Sequence, residues 1–89
     1  PVVELNRAVA VSMSEGPDAA LPIVEALIGE PALRDYHLLP SVHGDLLFRL
    51  GRIDDAREAF LRAARMTRNE RERTLLESRA RACTSATPD

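Results

Sequence analysis

Residues 44–63, which read GDLLFRLGRIDDAREAFLRA, decide the fold. Apolar residues recur along this stretch at helical spacing, and Gly51 divides it into two segments. Asp54 and Asp55 follow that break, where acidic side chains interact favourably with the positive end of a helix dipole. The stretch therefore predicts a helical hairpin whose first helix covers about residues 37–50 and whose second helix begins at Asp54.

The same pattern of small and large residues occurs once more, 36 positions earlier in the chain. Where two antiparallel helices cross, a small residue lets the backbones approach and a larger one fills the groove between them. The repeat therefore predicts two helical hairpins; the alternative is a generic helical hairpin with accidental periodicity. The matching positions are Ala8, Val11, Ala20, Val24 and Leu27 in the first copy and Gly44, Leu47, Ala56, Phe60 and Ala63 in the second.

This pattern resembles the tetratricopeptide repeat. The second copy matches from Gly44 through Gly51 to Ala63, whereas the first copy is degenerate, with Gly16 one place late. The resemblance implies two tetratricopeptide-like hairpins in a short superhelix, with a C-terminal capping helix over the last apolar face. It also implies that the first helix of each hairpin lines a concave groove.

The helices of the first hairpin follow from their stop signals. An apolar stripe predicts a helix over residues 2–14, which Gly16 ends. Asp18 is the expected N-cap of a second helix, which reaches about Leu27. Counted from that cap, Pro22 is the fourth helical residue, where its missing N–H would have had no partner in the helix.

The end of the chain predicts a fifth helix and a tail. Asn69 and Glu72 have the spacing of a capping box, which would open a helix over about residues 70–82. Its inward stripe is expected to consist of Leu75, Leu76 and Ala80. No segment alternates as a strand would, so we expect an all-α domain of about five antiparallel helices over residues 1–83, followed by a disordered tail at 84–89.

The composition excludes several classes of protein. The 89 residues suit a single domain, and no apolar run is long enough to span a membrane. Cys83 is the only cysteine, which excludes an internal disulfide and a cysteine-based zinc site. His37 and His43, if on one helix, point roughly 240° apart and cannot share a metal. With no glycine-rich phosphate loop either, we expect no metal, no cofactor, no enzymatic activity and a cytoplasmic setting.

Charge is spread unevenly along the chain, although the net charge is −2. Residues 1–51 carry −4 and residues 52–81 carry +3. The densest basic stretch consists of Arg62, Arg65, Arg68, Arg71 and Arg73. Acidic and basic residues interleave at helical spacing, which favours a solvated helix surface over a contact with nucleic acid.

Polar residues close to the apolar stripes are the candidate protein-interaction residues. They are Asn6, Arg7, Tyr36, His37, Asp45 and Arg49. On the tetratricopeptide mapping, Asp45 and Arg49 face Ser12 and Met13 of the first helix and, with apolar neighbours such as Phe48, would contact a peptide or a domain. The alternative is internal bonding, in which Asn6, Arg7, Tyr36 or His37 links the loop before the third helix to the first helix.

Four segments, in the same order, resemble the C-terminal extension of one subgroup of bacterial extracytoplasmic-function (ECF) sigma factors. They are PVVELNRAVAV at 1–11, YHL at 36–38, DLLFRLGR at 45–52 and NERER at 69–73. The resemblance implies a parent protein that binds core RNA polymerase and directs it to particular promoters. Promoter DNA would be contacted only by regions upstream of this chain.

The same resemblance implies a regulatory role for the chain itself. Its partners would be the sigma promoter-binding regions of the same polypeptide and core RNA polymerase, and small YCII-type proteins are a further partner class. The alternative is a stand-alone helical-repeat adaptor that binds a peptide or protein in its concave groove. The sequence leaves the oligomeric state open.

Overall fold

The computed structural model describes residues 2–86. Within them the chain is all-α, with five α-helices and one short 3-10 turn. The helices are α1 (Val2–Glu15), α2 (Pro17–Leu27), α3 (Leu38–Arg49), α4 (Ile53–Met66) and α5 (Glu70–Ala86), and the 3-10 turn is Pro31–Leu33. α1 packs on α2 and α3 packs on α4, so two helical hairpins form, and α5 packs on the outer side of the second hairpin against α4.

The repeated small and large residues lie at the helix crossings, as the sequence predicted. Ala8 and Ala20 are fully buried in the first hairpin, and Ala56 takes the matching place in the second. A Cβ atom added at Gly44 would lie 2.9 Å from the ring of the buried Phe60. The absence of a side chain at this position therefore allows α3 and α4 to approach each other.

The core consists of two apolar clusters that α3 joins. One cluster lies in the first hairpin and includes Leu46 of α3, whereas the other lies between α4 and α5 and includes Leu47. Leu21 of α2 packs against both clusters. Because neighbouring residues of one helix belong to different clusters, the two hairpins form one continuous domain.

The start of α2 differs from the prediction. Gly16, with φ of 98°, is the N-cap and Pro17 is the first helical residue, so Asp18 lies inside the first turn. Proline suits the first helical position because its fixed φ is already helical and its missing N–H is not needed there. Pro22 is then the sixth helical residue and leaves the carbonyl of Asp18 without its usual α-helical donor.

The turn between α3 and α4 is a Schellman motif. The N–H of Arg52 donates to the carbonyl of Leu47 at 2.9 Å, and the N–H of Gly51 donates to the carbonyl of Phe48 at 3.0 Å. Gly51 has φ of 82°, a conformation that glycine adopts without a steric cost. The glycine that divides the opening stretch of sequence therefore ends α3 as expected.

The α5 helix begins as predicted but is longer. Its inward stripe consists of Leu76, Ala80 and Cys83, whereas Leu75, which was expected to face inward, is 53% exposed. The buried Cys83 fixes the last turns of the helix against α4, and residues 84–86 continue the helix although they were expected to be disordered. The remainder of the predicted tail, residues 87–89, lies outside the described residues. No helix within residues 2–86 is both long and apolar enough to cross a membrane.

Candidate interaction surface

Arg49 connects the first helices of the two hairpins. Its Nη2 lies 3.0 Å from Asp45 Oδ2, one turn earlier on α3. Its Nη1 donates a hydrogen bond of 3.1 Å to Oγ of Ser12 on α1, and Ser12 is buried. Two of the predicted interaction residues are therefore held in one defined geometry at the α1–α3 boundary.

Exposed apolar side chains flank this charge pair. Phe48 is 39% exposed and lies one turn from Asp45 on α3. Val9 precedes Ser12 by one turn on α1, and the neighbouring Met13 is 81% exposed. These side chains give the charge pair an apolar border.

The α5 helix extends the same surface. A shallow pocket of about 170 Å³ is lined by Asp45 and Phe48 of α3 together with Arg79 and Ala82 of α5. The guanidinium carbon of Arg79 lies 5.9 Å from the ring centroid of Phe60, at the distance of a cation–π contact. We call the surface formed by Val9, Ser12, Met13, Asp45, Phe48, Arg49, Arg79 and Ala82 the α1/α3/α5 face.

Asn6 and Arg7 are exposed on α1. Arg7 forms an ion pair with Glu4, at 3.0 Å between Nη2 and Oε2, and both side chains face solvent. Such exposed pairs contribute at most about 1 kcal/mol to stability. This contact is local to α1 and does not reach the loop before α3.

Tyr36 and His37 lie in the loop before α3, where His37 is the N-cap residue. Tyr36 packs against the apolar cluster of the first hairpin, and its ring meets that of His37 edge-on with centroids 6.4 Å apart. Nε2 of His37 is shielded from solvent and lies 2.6 Å from Oε2 of Glu72 on α5. His37 therefore links this loop to the start of α5. The alternative of internal bonding predicted a link to α1 instead.

A polar network at the α4–α5 junction was only partly predicted. The N–H of Glu72 donates to Oδ1 of Asn69 at 3.0 Å, which is the expected half of the capping box. The second half runs through Thr67, whose hydroxyl donates to Oε2 of Glu72 at 3.1 Å and accepts from the N–H of Asn69 at 3.2 Å. Thr67 carries no sequence signal for this role, because the contact depends on how α5 turns away from α4.

The basic stretch divides between two helices and the loop that joins them. Arg73 of α5 donates to the carbonyls of Thr67 at 3.0 Å and Ala64 at 3.4 Å, where α4 ends. Arg62 and Arg65 lie on α4. One of the five arginines thus satisfies backbone carbonyls, which weakens the case for a nucleic-acid surface.

Two buried titratable groups have altered proton affinity. Burial lowers the pKa of His43; Arg62 and Arg52 lower it further, and Glu25, whose Oε2 lies 3.8 Å from Nε2, opposes this effect. Burial raises the pKa of the Cys83 thiol, which favours its unreactive protonated form. Among the described residues, no three potential metal ligands lie close enough together to hold an ion.

The fold and the α1/α3/α5 face define a class: a small module of tetratricopeptide-like helical hairpins with one exposed, partly apolar surface across its first helices. No known family model matches the chain, and no solved structure shows a significant match. A protein of Rhizobium meliloti (strain 1021), named only as uncharacterised, is 53% identical to it over 72 residues. The aligned segment covers 81% of this chain and 16% of that protein. This chain therefore corresponds to a small part of its relative.

Proposed function

We propose that this chain is the C-terminal regulatory module of an ECF sigma factor. In this proposal the α1/α3/α5 face docks on the sigma promoter-binding regions of the same polypeptide or on core RNA polymerase, in the cytoplasm. The observation that carries the proposal is the ordered Asp45–Arg49–Ser12 arrangement with the exposed side chains of Phe48 and Met13 beside it. An apolar patch with a fixed charge pair is the kind of surface that protein interfaces use.

Two further observations support the role of the parent protein. Four segments in order resemble the extension of one sigma-factor subgroup. The Rhizobium relative carries the matching segment as 16% of its length, so a related module occurs inside a much longer polypeptide. In the proposal, promoter DNA contacts only the upstream regions, and this chain acts by binding protein without catalysing a reaction.

The α1/α3/α5 face also suits a helical-repeat adaptor outside transcription, because a peptide could bind the same groove. The coding sequence immediately upstream of Pro1 distinguishes the two functions. Polymerase-binding and helix-turn-helix segments there support the sigma factor. An unrelated domain, or a start codon directly before Pro1, overturns it and leaves the adaptor.

The docking step is tested on the full polypeptide by promoter-directed transcription with core RNA polymerase. Val9→Ser and Phe48→Ala each remove an exposed apolar side chain of the face. We expect each to change transcript yield by about tenfold if the side chain is an interface hot spot. Val3→Ser is the matched control, since Val3 is exposed on a different side of α1 and should leave the yield unchanged.

The charge pair needs its own test, because it also joins α1 to α3. We expect Asp45→Ala and Arg49→Gln to alter transcription while the thermal unfolding midpoint changes little, since the two side chains are 40% and 47% exposed and such ion pairs contribute little to stability. Loss of the folded state in Asp45→Ala would assign the pair to internal structure instead. Normal transcription by folded variants of both residues would contradict docking through this face.

A further inference from the structure

A second concave site lies where the link between the hairpins meets the end of α4. It is a pocket of about 280 Å³ that shares no residue with the α1/α3/α5 face. Its wall is predominantly apolar and includes Ile28, Pro31, Leu33, Leu39, Pro40 and Met66. The proposed docking does not use this pocket, so a ligand bound here is independent of that docking.

The charged side chains of the pocket are mostly basic. Arg34 and Arg62 line it together with a single acidic residue, Glu30. Among the described side chains, neither Arg34 nor Arg62 has a carboxylate within ion-pair distance or a hydrogen-bond acceptor. The lining of the pocket therefore places two guanidinium groups and one carboxylate beside an apolar wall.

His43 also lines the pocket, but its Nε2 is not a free donor there. Nε2 is buried and lies 3.8 Å from Oε2 of Glu25, which lines a neighbouring cavity together with His43, Arg52 and Arg62. The polar contacts with a ligand therefore fall to Arg34 and Arg62.

We propose that this pocket binds a small apolar molecule that carries one carboxylate. The apolar wall takes the hydrocarbon part, and Arg34 and Arg62 bind the carboxylate. A volume of about 280 Å³ is just below the range of about 300–1,000 Å³ for ligand sites, so it suits only a small molecule. Phenylacetate is a probe of suitable size. Two guanidinium groups in an apolar wall favour an anion with an apolar part over a cation.

The test is a titration of the isotopically labelled chain with phenylacetate, followed by nuclear magnetic resonance. We expect shifts confined to the amides of the non-proline residues in 28–34, 39–43 and 62–66. Phenylacetamide has nearly the same shape without the charge and should bind about tenfold more weakly, since a charge-assisted hydrogen bond to arginine is lost. Equal affinities for the two probes would overturn the proposal.

Variants separate the pocket from general electrostatic attraction. Arg62→Gln and Arg34→Gln should each weaken phenylacetate binding by about tenfold and leave phenylacetamide binding unchanged. Arg65→Gln makes the same chemical change three residues further along α4, outside the pocket, and should have no effect on either probe. An equal loss of phenylacetate affinity in Arg62→Gln and Arg65→Gln would overturn the site. The absence of localised shifts in the unsubstituted chain would overturn it as well.

A carboxylate of this kind could be a free metabolite or the end of a peptide. N-acetyl-L-leucine presents the same apolar carboxylate as a peptide C-terminus does. Tighter binding of N-acetyl-L-leucine than of phenylacetate assigns the pocket to peptide ends, and the reverse order assigns it to free carboxylates. Either order of the two affinities supports a carboxylate site in the pocket, whereas failure of both probes to bind contradicts it.

Discussion

At the scale of single residues, the packing of α3 against Phe60 of α4 depends on the missing side chain of Gly44. An alanine methyl group there would lie 2.9 Å from the Phe60 ring, and Phe60 is buried and cannot move freely. Over-packing of this kind costs about 1–3 kcal/mol, whereas alanine gains up to about 1 kcal/mol of helix propensity over glycine. Steric overlap therefore outweighs propensity.

We predict that Gly44→Ala lowers the free energy of unfolding by about 1 kcal/mol, measured by urea denaturation. In a Phe60→Leu background the same substitution should cost less, because the ring that it meets is gone. A stabilising Gly44→Ala would show that α3 and α4 can move apart without a loss of stability.

The lowered pKa of His43 predicts how the stability of the fold depends on pH. Its pKa is lowered in the folded chain chiefly by burial, whereas in the unfolded chain the pKa stays near its ordinary value of 6.5. The unfolded state then binds the proton more readily. The stability that depends on neutral His43 is therefore fully present above pH 6.5 and is lost as the pH falls through the folded-state pKa. The groups that face His43 are Glu25, Arg62 and Arg52.

We expect the free energy of unfolding to fall between pH 7.5 and pH 5, with a smaller fall in His43→Gln. Urea denaturation at a series of pH values measures both slopes. His37 is present in both proteins, so the difference between the slopes reports His43 alone. Identical slopes would mean that burial of His43 does not affect its protonation.

At the scale of helices, the attachment of α5 depends on polar contacts at its start as well as on its apolar stripe. Thr67 is buried and joins Glu72 to the backbone of Asn69. Thr67→Val keeps the shape of the side chain but leaves the N–H of Asn69 and the carboxylate of Glu72 without this partner.

We predict that Thr67→Val lowers the free energy of unfolding by about 1–2 kcal/mol, as the loss of a helix cap does. Hydrogen exchange should become faster in the first turns of α5. Thr74→Val is the control, because Thr74 is exposed on the same helix. Equal effects of the two substitutions would contradict a capping role for Thr67.

At the scale of the whole molecule, α5 covers the apolar side of the second hairpin. Leu76, Ala80 and Cys83 pack with Phe60 and Ala63 of α4 in one cluster. Repeat arrays need such a terminal helix, because the last hairpin otherwise exposes its apolar face.

A chain ending at residue 69 should therefore unfold without a cooperative transition and bind a hydrophobic dye, since truncation of even one buried leucine to alanine costs about 2–5 kcal/mol. A chain ending at Cys83 keeps the whole stripe and should unfold close to the midpoint of the full chain. Calorimetry measures both transitions. A cooperative transition in the shorter chain would show that α5 is dispensable.

The candidate sites were predictable only where the contact is local. Asp45 and Arg49 are one turn apart on one helix, so their pairing follows from sequence spacing. His37 was a candidate interaction residue, with internal bonding towards α1 as the alternative, but it meets Glu72, 35 positions away. The apolar pocket is formed by the linking turn, α3 and α4 together. Spacing along one helix does not reveal either contact, because both depend on how separate helices pack.

The sequence by itself determined the number of helices, the two hairpins and most of the turns. The reason is that helix periodicity, glycine breaks and capping residues act over only a few positions, and the small–large repeat marks each crossing. The tertiary structure alone decided which face of α5 is buried, where Arg49 and His37 find partners, and that an apolar pocket lies beside Arg34 and Arg62. Those features depend on the rotation and offset of packed helices, which are set by the fit of many side chains at once.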